Sequence, residues 1–238
     1  MLYNNIDPRT IAPGLLSIQT IVDPAMPTKT LNMVQLVRGA GYAGFTYSPR
    51  EIRVSINIGT RTKQKALEMA RKLVGWAASD TPAPLVVNHE PDKYYLAVCS
   101  YCSPKALKNT FLVLDFIFTA PDPRAFALSE RSATLGEPLL IEGTAWTYPV
   151  ITHTLATKVS DVRYTLDNER YIELAGTLPA GSVVQVDHAS RTIRVNNLLR
   201  PELLDYVHSR WFELFPGKHI ITASEPGMSS VTWRDTWL

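Results

Sequence analysis

The chain has 238 residues, of which 45% are hydrophobic and 19% charged, so it carries enough apolar material for a packed core and is not a disordered chain. Its net charge of +2 excludes the basic surplus that marks a dedicated nucleic-acid-binding protein. No apolar run reaches the ~20 residues of a membrane-spanning helix, and residues 1–10 lack the pattern of a secretory signal. Two cysteines are too few for a disulfide framework, so we expect a cytosolic product.

The first half of the chain predicts an α+β domain. Residues 51–58 alternate strictly between isoleucine or valine and polar residues, which predicts a half-buried strand. Residues 62–78 then change to a helical period, with an apolar stripe opposite lysine and arginine. The stripe consists of Ala66, Met69, Ala70, Leu73, Val74 and Ala77.

Two further segments complete this half. Residues 85–89 and 94–101 flank Glu90, Pro91 and Asp92, which predicts a hairpin that turns at these three residues. Residues 110–119 are β-branched, aromatic or apolar on both faces, which is typical of a central strand.

The second half predicts an antiparallel β-sandwich, because short strands recur every 8 to 12 residues between turn signals. The predicted strands are 150–157, 162–166, 171–175, 182–187, 192–196, 212–215, 219–222 and 230–233. Residues 198–207 interrupt them as a short helix or a long loop. The net charge is +5 before residue 126 and −3 after it. The prolines of residues 120–124 precede a polar stretch at 129–136, so we place the domain boundary near residue 130.

Residues 39–44 match the dinucleotide-binding pattern G-x-G-x-x-G, but the pattern lacks its structural context. Phosphate binding needs a helix that begins at the third glycine, and here Gly44 is followed by strand-forming residues. A glycine-rich hairpin loop after residues 31–38 explains the same glycine pattern.

The remaining chemical motifs are weak. Cys99 and Cys102 form a lone C-x-x-C at the end of a predicted strand, without a second pair for zinc or a helix start for redox chemistry. The five histidines show no metal-ligand spacing, and no nucleophile motif occurs. We therefore predict no catalytic, cofactor-binding or metal-binding residues.

Two alternatives rest on the second half. Acidic residues such as Asp167, Glu169 and Glu173 are potential glycosidase carboxylates, although solvated surface charge is the simpler interpretation. Aromatic residues offer a platform for sugar or for a protein partner, although most are expected in the core or at interfaces. These residues are Tyr94, Tyr95, Tyr101, Trp146, Tyr148, Trp211, Trp233 and Trp237.

The ordered set of features over residues 30–238 resembles the distal tail (Dit-type) proteins, the siphovirus tail component family of long-tailed, non-contractile bacteriophages. Each piece alone is an ordinary turn or strand pattern; the resemblance lies in their order. The family-motif positions are Gly41, Gly44, Pro91, Pro123, Pro149, Asp187, Pro216, Gly217, Trp233 and Trp237.

This resemblance implies a structural virion protein at the tail tip, assembled in the host cytoplasm, with no catalysis and no cofactor. Domain 1–130 would join copies of itself into a hexameric ring, and domain 131–238 would be a projecting galectin-like or carbohydrate-module-like sandwich. The implied partners are the tail tube protein, a tail-associated tip or fibre protein and, in some members, receptor-binding proteins. We expect the strand at 51–58 to be covered by a neighbouring copy or by an arm from residues 1–30. The alternative function is a carbohydrate-binding module that recognises a host cell-wall glycan.

Overall fold

The structure, a computed structural model, describes residues 1–13, 15–22, 27–108 and 111–238. The chain divides into two compact units, Met1–Phe126 with Leu238, and Ala127–Trp237. Antiparallel sheets dominate both units, which confirms the expected fold class. Among the described residues, no helix has the length and apolar character needed to cross a membrane.

The first unit is built on an antiparallel sheet whose main path runs in the order β1-β6-β7-β8-β5-β2. Its elements are β1 (Leu2–Tyr3), α1 (Pro8–Ile11), β2 (Leu15–Val22), β3 (Lys29–Gln35), β4 (Ala40–Tyr47), β5 (Arg50–Gly59), α2 (Lys63–Ala77), β6 (Ala83–Val87), β7 (Glu90–Lys108) and β8 (Phe111–Ala120). A short strand, β9 (Ala125–Ala127), follows at the boundary between the units.

Strands β5 and β8 are neighbouring inner strands of this sheet. Ile52, Val54, Ile56 and Ile58 are at most 1% exposed, and each pairs with a phenylalanine or leucine of β8. The predicted strands at 51–58 and 110–119 are therefore confirmed, except for Thr110, which lies outside the described residues. Strand β2 of the same chain pairs with the other edge of β5, so part of the expected arm covers it; residues 14 and 23–26 of that arm lie outside the described residues.

Helix α2 confirms the predicted helix at 62–78. Thr62 caps its N-terminus, where the hydroxyl accepts a hydrogen bond from the Lys65 amide. The buried face differs from the predicted stripe, because Val74 is 45% exposed and Trp76 is buried instead. The Trp76 ring packs edge-on against Tyr3 and Phe118, so aromatic packing across the sheet sets the orientation of the helix.

The hairpin of β6 and β7 is present, but its turn lies two residues earlier than predicted. Val87 pairs with Glu90, so Asn88 and His89 form a two-residue turn, and Pro91 belongs to β7. Proline is tolerated here because it lies at the beginning of the strand, where a missing amide costs few ladder hydrogen bonds.

The second unit is an antiparallel sandwich of two sheets, with strand orders β10-β19-β12-β15-β16-β17 and β11-β18-β13-β14. The strands are β10 (Arg131–Ala133), β11 (Pro138–Ile141), β12 (Val150–Leu155), β13 (Val159–Leu166), β14 (Arg170–Leu178), β15 (Val183–Asp187), β16 (Thr192–Val195), β17 (Leu198–Leu199), β18 (Gly217–Ala223) and β19 (Gly227–Trp233), followed by β20 (Thr236–Trp237). Apolar residues from both sheets form one continuous core.

Two predictions in this unit need correction. Residues 212–215 are not a strand, because Leu214 makes a single bridge to Thr147 while Phe212 and Leu214 are buried in the core. Residues 198–207 are neither one helix nor one loop, since they contain β17 and a 3₁₀ turn at Pro201–Leu203. The sequence also gave no signal for β10 and β11, which are only three and four residues long.

Candidate assembly surface

Strands β3 and β4 form a separate two-stranded hairpin, hereafter the hairpin, which no other described strand joins. The polypeptide reverses at Leu36–Gly39, where Gly39 has a φ of +92° and the Leu36 amide donates to the Gly39 carbonyl. A two-stranded ribbon is marginally stable in water without a packing partner. This hairpin therefore needs a surface to pack against.

The register divides the hairpin into an apolar and a more polar face. Leu31 pairs with Phe45 and Met33 with Tyr42, so these four side chains share one face. Opposite Asn32, strand β4 carries two residues, Ala43 and Gly44, and this bulge keeps Tyr42 on the face of Phe45. The other face carries Thr30, Asn32, Val34 and Thr46.

The apolar face of the hairpin is open to solvent. Leu31 and Met33 are each 56% exposed, Tyr42 is 61% exposed and Phe45 is 39% exposed. At its base the Lys29 ammonium lies 4.4 Å from the Phe45 ring centroid, which gives this end a positive charge. A contiguous exposed apolar surface of this kind marks an interaction site.

Gly41 and Gly44 do not form the predicted glycine-rich loop. Both lie in β4, and only Gly39 of this segment is in the turn. Gly44 has a φ of +112°, which is a backbone conformation that the bulge needs and that other residues rarely adopt. Gly44 lies within β4 and is followed by β5, so the helix N-terminus that phosphate binding by this pattern requires does not follow the third glycine.

The other family-motif positions are spread over both units. The Pro123 carbonyl accepts a hydrogen bond from the buried Arg50 side chain at 2.9 Å, and the Pro149 carbonyl accepts one from the His188 amide. The Asp187 carboxylate accepts from the Ala189 and Ser190 amides and fixes the turn after β15. Each of these contacts holds a turn or strand end in place.

The last four of these positions lie near the C-terminus. Pro216 precedes β18, which begins at Gly217 with a φ of +128°. Trp233 is 5% exposed in the sandwich core, and Trp237 lies in β20. The structure does not bring the ten positions together into one site.

The two cysteines lie within β7 rather than at its end, and both are free thiols. They line shallow apolar grooves beside α2, where Val74 contributes to the same walls. Burial raises the pKa of both thiols, that of Cys102 to about 11, so they are protonated at neutral pH. This environment is opposite to that of a reactive thiol.

Two of the three acidic candidates for hydrolysis, Asp167 and Glu173, form hydrogen bonds with other side chains and the backbone. Asp167 accepts from the ring of His219 and from the Ile220 amide, and Glu173 accepts from the Arg163 guanidinium at 2.7 Å. Within the described ranges, no three metal-ligating side chains come together. Among the aromatic residues, Tyr148 and Trp211 lie together in the wall of one small polar pocket.

Two family models match the chain. The siphovirus-type tail component, C-terminal domain, matches residues 142–237, and the phage tail protein RIFT-related domain matches residues 14–113. No curated protein matches the sequence.

Among solved structures, the Dit protein (gp 19.1) of phage SPP1 is similar over 100% of this chain and 98% of its own, with a TM-score of 0.83 and 16% identity. It is described as a paradigm of the hub adsorption apparatus in phages that infect Gram-positive hosts. Two structures of the phage p2 baseplate in its activated conformation, with Ca and with Sr, give TM-scores of 0.44 and 0.48 at 7% and 9% identity. They cover 92% and 91% of this chain and 90% of the matched chains.

Proposed function

Because this chain belongs to the siphovirus-type tail component family, we propose that it is the distal tail hub of a long-tailed, non-contractile phage. In this role copies of the chain form a hexameric ring at the end of the tail tube. The ring joins the tube protein on one side to a tip, fibre or receptor-binding protein on the other. The protein is structural and is assembled into the virion tail in the host cytoplasm.

The observation that supports this proposal most directly is the exposed apolar face of the hairpin. A ring uses the same pair of surfaces at every contact, head to tail, so each copy must present an apolar area that is incomplete alone. The exposed face with Leu31, Met33, Tyr42 and Phe45 is such an area in the first unit. We assign ring formation to domain 1–130 and outward projection to domain 131–238.

The test is the molar mass of the purified protein, measured by light scattering over a range of concentrations. We expect six copies per particle for the natural chain. The double variant Leu31→Ser with Phe45→Ser is expected to dissociate into monomers, since each truncation removes about 1.5–3 kcal/mol of apolar burial at every contact of the ring.

The matched control changes the opposite face of the same two strands. Thr30→Ser with Thr46→Ser leaves the apolar face intact and is expected to keep the assembly. If the natural chain stays monomeric at all concentrations, this result contradicts the proposal that the protein is a tail hub. A hexamer that survives the double variant contradicts only the role given to the hairpin.

A further inference from the structure

The second unit contains a small polar pocket, formed by residues other than those of the hairpin to which we assign ring formation. Its volume is about 220 Å³, and it is lined by Tyr148, Arg170, His188, Arg191, Trp211 and Glu213. The volume is below the range of about 300–1,000 Å³ typical of drug-sized ligands, so it suits one small polar unit at the end of a larger molecule.

Two arginines make this pocket cationic. Arg170 stands at the beginning of β14, and Arg191 follows β15 in the turn that Asp187 fixes. Both are exposed, and in the part of the chain that the structure describes neither guanidinium forms an ion pair or a side-chain hydrogen bond. Glu213 is the one acidic residue in the wall, so the lining keeps a positive excess. Two guanidinium groups free of carboxylate partners favour a carboxylate or phosphate group as ligand.

The buried wall contains a neutral histidine. His188 is 1% exposed, and its Nδ1 accepts a hydrogen bond from the Phe212 amide at 3.3 Å. The neutral ring therefore carries its proton on Nε2, which is buried without a partner among the described residues. Burial lowers the pKa of His188 to about 3, so this ring stays uncharged at neutral pH.

The aromatic residues of the same wall suit a sugar ring. Trp211 and Tyr148 are half-buried and combine apolar ring area with a polar group, while Glu213 offers an acceptor for hydroxyl groups. We propose that this pocket binds an anionic saccharide unit, with its sugar ring against Trp211 and its carboxylate or phosphate between Arg170 and Arg191.

The test is tryptophan fluorescence and isothermal titration of the full-length protein with four probes: glucuronate, glucose 6-phosphate, glucose and inorganic phosphate. We expect binding of one or both anionic sugars, weakening as salt is raised, and no measurable binding of glucose. The two anionic sugars distinguish a uronic-acid ligand from a phosphorylated one. Arg170→Gln and Arg191→Gln should each weaken binding roughly tenfold or more, since each removes a charge-assisted hydrogen bond.

The matched control is Arg194→Gln, which removes an equal charge from an exposed position of β16 outside the pocket. It should leave the affinity unchanged, and thermal unfolding should show that all three variants are folded. The proposal is overturned if no probe binds, if inorganic phosphate binds as tightly as the sugars, or if Arg194→Gln weakens binding as much as the pocket variants do. None of these outcomes depends on whether the chain forms a ring.

Discussion

Buried histidines show how single residues in the sandwich couple its stability to pH. His188 packs against Phe212, with ring centroids 3.9 Å apart, and burial holds its pKa far below the usual range. The nearby Asp187 carboxylate opposes this effect and is the weaker influence. Burial also lowers the pKa of His153, whose ring lies 3.2 Å from the Tyr164 hydroxyl.

We expect the free energy of unfolding to fall as the solution is acidified. Between pH 6.5 and the folded pKa of about 3, the unfolded chain binds a proton at position 188 that the folded chain does not. From pH 7 to pH 5 His188 should therefore cost about 2 kcal/mol of stability, measured by urea unfolding at both values. Because the pKa of His153 is also lowered in the folded chain, this residue should likewise reduce the free energy of unfolding as the pH falls.

His188→Asn tests this assignment, because the Asn Oδ1 can still accept the hydrogen bond from the Phe212 amide. The variant should lose most of that pH dependence, while His89→Asn, at an exposed turn position, should keep it. An unchanged pH profile in His188→Asn would contradict the assignment.

Gly143 is a second position where an added Cβ atom should change the stability of the fold. A Cβ atom there would lie 2.0 Å from the Thr236 carbonyl oxygen, which belongs to the backbone and cannot rotate away. Gly143→Ala should therefore lower the free energy of unfolding by about 2–4 kcal/mol, measured by chemical denaturation.

Gly75→Ala is the matched comparison. Gly75 lies in α2, and an added Cβ would meet no atom within 4 Å. The free energy of unfolding of this variant should be about 0.5–1 kcal/mol higher than that of the natural chain, because alanine is the better helix former. Equal effects of the two substitutions would show that the close approach at Gly143 does not limit stability.

At the scale of elements, the long periodic segments were predictable and the short ones were not. Strand β5 and helix α2 follow from a sequence period that one buried face imposes, and strand β8 follows from a continuous run of β-branched, aromatic and apolar residues. Strands β10 and β11 are too short to show a period, and they exist because β19 and β18 offer them edges to pair with. The turn at Asn88 and His89 was misplaced because Glu90, Pro91 and Asp92 are also turn-forming residues.

The hairpin is the element in which the sequence pattern was least informative. Its glycines indicated a loop, whereas register and bulge place Gly41 and Gly44 in a strand. The alternation of Leu31 with Met33 was a usable signal for an apolar face, but Tyr42 and Phe45 are three residues apart. Their common face appears only when the bulge is known.

At the scale of the whole molecule, each unit has its own core and should fold by itself. The sandwich core draws on residues from Leu139 to Trp233, all within Ala127–Trp237. A fragment of residues 127–237 should therefore unfold cooperatively on heating, as followed by circular dichroism, because its length is in the commonest range for single domains, about 100–150 residues.

The comparison fragment stops the chain inside the sandwich. Residues 127–215 lack β18 and β19, which pair with strands of both sheets, and should not show a cooperative transition. A broad, non-cooperative transition of residues 127–237 would mean that this unit depends on the rest of the chain.

The sequence by itself determined the sheet-rich fold class, the central strands of the first unit, the helix and the succession of short strands in the second. These follow from local period and turn chemistry, which neighbouring residues carry. The tertiary structure alone decided that one face of the hairpin is left uncovered and that Arg170, His188, Arg191 and Trp211 share a pocket. Pairing register and the burial of His188 depend on contacts between residues far apart in the chain, and no local pattern encodes those contacts.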